Sequence, residues 1–284
     1  MSSMKVIKRR ITSVRSTQHI MKAMDLVAAS KLQKAKARLD VVRPLYSNMK
    51  LVMDGIRASE DAGDNVFVEK REVKNIAYVV ITSDRGLCGG FNLNVSKEAL
   101  AFIDARSDKK EKIIAVGAKG NEYFRRRRKN VIHKFAEPPE GAMYNDAKRI
   151  GSLLVSMYKS GEVDEVYVVY THFNSVLAHI PHIVKLLPVG AISNKPGDTG
   201  LMTYEPDIDT FMTHAVPMYL DIFMYGAMVE SAVCEQASRM TSMDAAARNA
   251  SEIIDDLTLV FNRKRQSMIT QEITEIVSGA NALK

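Results

Sequence analysis

Apolar residues recur along the first sixty positions at intervals alternating between four and three. From Ile7 the series runs through Ile11, Val14, Gln18, Met21, Asp25, Ala28, Leu32, Ala35, Leu39, Val42, Tyr46, Met49, Met53 and Ile56, and only Gln18 and Asp25 are neither apolar nor aromatic. A 3.5-residue repeat held over about seven heptads predicts a coiled-coil helix. Such a helix over residues 4–57 would be about 80 Å long at about 1.5 Å per residue, longer than a small domain is wide. Most of it must therefore lean on something outside its own globular part. Pro44 is expected to kink it near its end, and Gly55, Gly63 and the polar stretch Ser59–Asn65 mark its exit. Gln18 and Asp25 inside the seam either fix register or bond locally to basic residues of a partner helix.

The last seventy residues repeat the pattern. Ile222, Gly226, Val229, Val233, Gln236, Met240, Met243, Ala247, Ala250, Ile254, Leu257 and Phe261 keep the same alternation. The phase then shifts to Ile269, Ile273, Ile276, Ala280 and Leu283, a four-residue stutter of the kind that locally unwinds a coiled coil. The middle reads differently. Ile76–Thr82, Ile113–Val116 and Val166–Thr171 are apolar runs of buried-strand length, separated by helical stretches Val95–Ala105 and Asn145–Lys159. This alternation predicts an α/β unit with a mostly parallel sheet. The Pro- and Gly-containing residues 188–209 predict a linker back to the last helix. The chain thus divides into 1–60, 61–212 and 213–284: helix, α/β domain, helix.

Charge sharpens this division. The 284 residues carry a formal net charge of +7. Residues 1–60 hold 13 Lys/Arg against 4 Asp/Glu, whereas residues 213–284 hold 6 against 9. Two long helices of opposite net charge at the ends of one chain should pair, and a compact middle domain with neighbouring termini makes the pairing antiparallel. A basic balance alone admits nucleic acid, an anionic membrane or an acidic protein as partner. No run of 18 apolar residues predicts a membrane span, and the N-terminus has no apolar core of a secretory signal. Two distant cysteines, Cys88 and Cys234, form no disulfide framework. Sixteen methionines with no tryptophan suit either ordinary core filling or a surface that slides and repacks.

The densest motif is Thr82-Ser83-Asp84-Arg85-Gly86-Leu87-Cys88-Gly89-Gly90-Phe91-Asn92, between a strand and a helix. It matches neither Walker A nor GxGxxG. We read Asp84, Arg85, Gly86, Cys88, Gly89 and Gly90 as a structural loop, with an anion site as the alternative. His179 and His182 lack further ligands at metal spacing, and no nucleophile–base or paired-carboxylate set is present. No catalytic residue, cofactor or metal site is expected in this chain. The basic run Arg125–Lys129 is read as a solvated turn at a helix end.

Three segments then carry a family resemblance. His19-Ile20-Met21-Lys22-Ala23-Met24-Asp25-Leu26-Val27-Ala28-Ala29-Ser30-Lys31-Leu32 resembles the N-terminal helix motif of the gamma subunits of F-type ATP synthases. The Ser83–Asn92 loop is similar to that family's middle motif. Glu235–Met240, Asn249–Ile254 and Asn262–Val277 resemble its C-terminal signature, and all occur in the family's order. The tail departs from the usual pattern at Asn281.

The resemblance implies an antiparallel coiled coil of the two terminal helices with a central Rossmann-like α/β domain. It implies a non-catalytic rotor that carries rotation between the membrane c-ring and a ring of three alpha and three beta subunits, with an epsilon subunit at its foot. Ion translocation is thereby coupled to ATP synthesis or hydrolysis, without nucleic acid and without direct membrane insertion, on the cytoplasmic face of a bacterial membrane. It carries over Met24, Arg239, Gln266, Thr270 and Glu272 as contacts for rotary coupling to the beta subunit. Lys5, Lys8, Arg9 and Arg10 are our additions to the same electrostatic collar. No thiol switch is expected, since the cysteine-bearing insertion of plant-type chains is missing.

Overall fold

In the computed structural model, residues 2–57, 65–68, 71–136, 144–189 and 207–282 are described. The element order is α1 (Ser2–Arg57), β1 (Asn75–Ile81), α2 (Phe91–Asp104), β2 (Lys110–Val116), α3 (Ala118–Arg126), β3 (Val131–Phe135), α4 (Tyr144–Lys159), β4 (Glu165–Phe173), β5 (His179–Leu187) and α5 (Ile208–Ala282). Most of the expected exit and linker stretches, residues 58–64 and 190–206, lie outside the described residues. The chain divides into two units, one of Met1–Ala28 with Met240–Lys284, the other of Ala29–Arg239.

The second unit is built on a five-stranded sheet in the order β3-β2-β1-β4-β5. The first four strands are parallel and β5 runs antiparallel to β4 at one edge. Buried on both faces, β1 reads as a continuous apolar run, as parallel strands require. Ile76, Tyr78 and Val80 point to one face, where Val95, Ala99 and Ile103 of α2 and Phe124 of α3 cover them. The sheet is thus doubly wound with an antiparallel edge strand, the Rossmann-like arrangement.

Sequence periodicity misses three elements. β5 contains Pro181, which an edge strand tolerates because no ladder bond needs its missing N–H. β3 is a five-residue edge strand carrying polar His133 and Lys134. The short helix α3 is obscured by Gly120 and by the arginines at its end. Gly120 is required there: a Cβ would lie 2.8 Å from Thr82 Oγ1, which accepts the Gly120 N–H at 2.9 Å.

The long helices follow the heptad. On α1 every seam position from Ile7 to Met53 is buried or half-buried, and the helix continues through Pro44. On α5 the segment Val216–Ser238 is buried almost all round, because it runs through the second unit and not along its surface. There the helices run antiparallel. Arg43 and Tyr46 of α1 meet Glu230, and the Tyr46 ring also meets Gly226 and Phe223, further back along α5.

In the first unit α5 narrows to a stripe of Met243, Ala247, Ala250 and Ile254. Gln18 Nε2 donates across the seam to the carbonyl of Ala247 at 3.3 Å. Gln18 therefore bonds the partner helix's backbone, not a basic side chain. The expected second stripe is not covered: Ile269, Ile273 and Ile276 are 48%, 56% and 71% exposed. With Gln18 opposite Ala247, the start of α1 falls opposite about residue 263, so among the described residues the last ~28 Å of α5 has no partner helix.

Candidate functional site

The motif loop between β1 and α2 is held by its own polar atoms. Asn92 Oδ1 accepts the Ser83 N–H at 2.9 Å, and Asn92 Nδ2 donates to Ser83 Oγ at 2.8 Å. Ser83 Oγ donates to the Arg85 carbonyl at 2.7 Å. Asp84 Oδ1 accepts the Ala118 N–H at 2.7 Å, tying the loop to the first turn of α3, where a carboxylate is favoured. The Phe91 and Asn94 amides go to the carbonyls of Cys88 and Gly90. The Ser83, Phe91 and Asn94 amides are therefore engaged inside the chain.

Two backbone positions set the loop's shape. Gly89 has φ +54°, and Leu87, with φ +62°, is held in the left-handed region despite its side chain. Leu87 is 64% exposed at the tip, beside exposed Arg85 and Gly86. Cys88 turns inward and is buried. Burial pushes its thiol up from the ordinary cysteine range, against the lowering effect of its Ser83 hydrogen bond.

Helix α5 grips this loop from the other side. Ser238 Oγ donates to the Cys88 carbonyl at 2.6 Å, and Arg239 Nη2 donates to the Gly86 carbonyl at 3.4 Å. Glu235 Oε1 holds Arg239 at 2.5 Å, one helical turn away, and both side chains are largely buried. Arg239, read from sequence as a partner contact, is thus joined to the structural loop through its own chain. Ser238 and Glu235 lie within the quoted motif, but nothing in their spacing announces what they bond.

The other expected contacts lie in the first unit. Lys5, Lys8, Arg9 and Arg10 are exposed on α1, and their charged groups have no partner among the described residues. Met24 and Asp25 are half-buried. Gln266, Thr270 and Glu272 are exposed on the unpartnered end of α5. The structure does not bring these groups to one point; they are distributed along two helices.

Among the described residues no three His, Cys, Asp or Glu converge on a metal-sized position. His179 and His182 sit three apart on a strand and so face opposite sides of it. His182 stacks on His172 at 5.1 Å, while burial pulls His179 down from the ordinary histidine range. In the basic run, Arg127 lies over the Tyr123 ring at 3.6 Å and Lys129 pairs with Asp104 at 2.7 Å. No helix among the described residues is long and apolar enough to cross a membrane.

The fold is of the class in which an α/β domain is inserted between two long terminal helices that pair with each other. The family model described as ATP synthase matches residues 3–283. The ATP synthase gamma chain of Alkaliphilus metalliredigens is 42% identical over 99% of both chains, and the sodium ion specific gamma chain of Acetobacterium woodii is 38% identical over 98% of this chain and 97% of that one. The chain belongs to the ATP synthase gamma-chain family.

Solved structures share the fold. A chain of the Euglena gracilis mitochondrial ATP synthase, in its OSCP/F1/c-ring part, matches with TM-score 0.74 and 17% identity, over 99% of this chain and 95% of that one. A chain of the central stalk and c-ring of the Tetrahymena thermophila enzyme matches with TM-score 0.65 and 22% identity, over 80% and 99%.

Proposed function

We propose that this chain is the central-stalk rotor of an ion-translocating ATP synthase. It carries rotation between a membrane c-ring and a ring of three alpha and three beta subunits, and performs no phosphoryl chemistry itself. The observation that carries this reading is the bare end of α5. A helix of about 28 Å standing beyond its partner, with Ile269, Ile273, Ile276 and Val277 exposed, leaves an apolar stripe that calls for a surrounding protein wall.

A rotor must bias each catalytic site differently at each angle, so coupling is a difference in contact free energy among angles. Weak exposed contacts serve this better than one deep well, which would stall rotation. Met24, Gln266, Thr270 and Glu272 are assigned to contacts of this kind with beta. The exposed cations Lys5, Lys8, Arg9 and Arg10 form a collar suited to acidic loops of the surrounding ring. Arg239 acts with the Arg85–Leu87 tip that it supports. The sheet domain meets the epsilon subunit and the c-ring, and the complex is peripheral on the cytoplasmic face of a bacterial membrane.

The reading is tested with a purified alpha–beta hexamer and this full-length chain. The chain alone should show no ATP hydrolysis, and a bead fixed to it should rotate in one direction when ATP is added to the reconstituted complex. Hydrolysis by the chain alone, or failure of the hexamer to bind it, would overturn the reading.

A further inference from the structure

Beyond the sites already assigned, a buried carboxylate sits where helix, helix and sheet meet. Strand β4 outruns its neighbour: β1 pairs with it only as far as Val80 with Val169, while β4 continues to Phe173 along β5. Among the described residues no strand therefore pairs with the β1-facing edge of Thr171–Phe173. Buried backbone groups there need other partners.

The two long helices supply them. The Thr171 N–H donates to Ser231 Oγ at 3.4 Å, and Cys234 Sγ donates to the Thr171 carbonyl at 3.5 Å. The Phe173 N–H donates to Glu230 Oε1 at 3.3 Å, and Arg43 Nη2 donates to the Phe173 carbonyl at 3.0 Å. Residues two apart on a strand turn their N–H and C=O to the same side, so side chains from α5 and α1 take the place of a missing strand.

Glu230 is the centre of this set. Its side chain is fully buried, and its Oε1 also accepts from Arg43 Nη2 at 2.7 Å. Oε2 accepts from the Tyr46 hydroxyl at 3.3 Å. His172 Nδ1 lies 2.9 Å from Oε1, outside hydrogen-bonding geometry. A buried carboxylate persists only when paired and bonded, and this one is bonded by both other elements at once. Apolar packing is non-directional and resists sliding weakly, whereas charge-assisted bonds fix orientation.

We propose that Glu230, with Arg43, is a positioning lock that fixes the angle of the helix pair on the edge of β4, so that torque passes between helices and sheet domain without slip. The proposal rests on the rotor reading above and adds the residues through which the torque enters.

The test uses the complete ATP synthase in sealed vesicles, comparing wild type with Glu230→Ala and Glu230→Gln. The Ala variant leaves Arg43, Tyr46 and the Phe173 N–H without their acceptor. Exchange of the Phe173 amide in the full-length chain should speed up about tenfold. Ion uptake per ATP hydrolysed should fall about fivefold. Glu230→Gln keeps an acceptor oxygen and should recover most of that ratio. Arg43→Gln, which removes the guanidinium from both Glu230 and the Phe173 carbonyl, carries the same two readouts should Glu230→Ala not fold. An unchanged ratio in a variant whose Phe173 amide has become exposed to exchange would overturn the lock. So would hydrolysis and uptake falling in equal proportion, the mark of a merely structural residue. Absence of ATP-driven uptake in wild-type vesicles would instead sink the rotor reading.

Discussion

Gly117 shows how closely single atoms constrain the loop region. It sits at φ +92°, and a Cβ there would lie 2.2 Å from the Thr82 carbonyl oxygen, which is backbone and cannot swing away. Gly117→Ala combines left-handed strain with a clash that must move the Thr82 backbone just after β1, so the full-length chain should lose about 3 kcal/mol of stability. A denaturant midpoint equal to wild type would contradict this. Cys88 makes the opposite kind of statement, since its chemistry is suppressed. With its thiol buried and its pKa raised, the thiolate fraction near neutrality is small. Alkylation of the native chain by iodoacetamide should be slow at pH 7 and accelerate only as pH rises above the ordinary cysteine range. Rapid labelling at pH 7 would mean that the loop opens readily.

Between elements, Gly226 of α5 packs closely against Tyr46 of α1. A Cβ at 226 would lie 2.5 Å from the Tyr46 ring. Two effects compete in Gly226→Ala. Helix propensity favours alanine by about 1 kcal/mol, whereas overpacking a well-filled contact costs about 1–3 kcal/mol. The ring is anchored through its hydroxyl to Glu230 and rests edge-on against Phe223 at 6.1 Å, so it has little room to retreat. Overpacking should win, with a net loss of about 1 kcal/mol measurable by thermal unfolding; a rise in melting temperature would show that the helices separate easily. The same accounting explains why this seam position is glycine in an otherwise apolar series.

For the molecule as a whole, the basic excess belongs to one helix. Among the described residues the exposed cations near the start of α1 have no partner and the exposed stripe at the end of α5 no cover. Both suit the partner contacts proposed above. Met24→Lys tests this at the level of coupling. Met24 is half-buried on α1, so a lysine there brings its ammonium out beside the helix, where, on the rotor role proposed above, a new ion pair with beta would favour one rotary angle. Ion uptake per ATP hydrolysed should fall about fivefold, the effect of about 1 kcal/mol of coupling, while the amount of assembled complex stays constant. Equal ratios in wild-type and variant membranes would exclude it.

The sequence by itself determined the periodic elements. Heptads from Ile7 to Met53 and from Ile222 to Phe261, and apolar runs at β1, β2 and β4, record burial directly because each element hides one stripe or both faces. The short quoted motifs resolved the family for the same chain. Tertiary structure decided what periodicity cannot carry. β3 and β5 are edge strands, half exposed, so His133, Lys134 and Pro181 interrupt any pattern. Ser238 reaches Cys88 across 150 positions, and Glu230 reaches Arg43 across 187, so no local spacing encodes either bond. The length of α5 beyond α1 is likewise a matter of register, set where Gln18 meets Ala247, and register exists only once two helices are side by side.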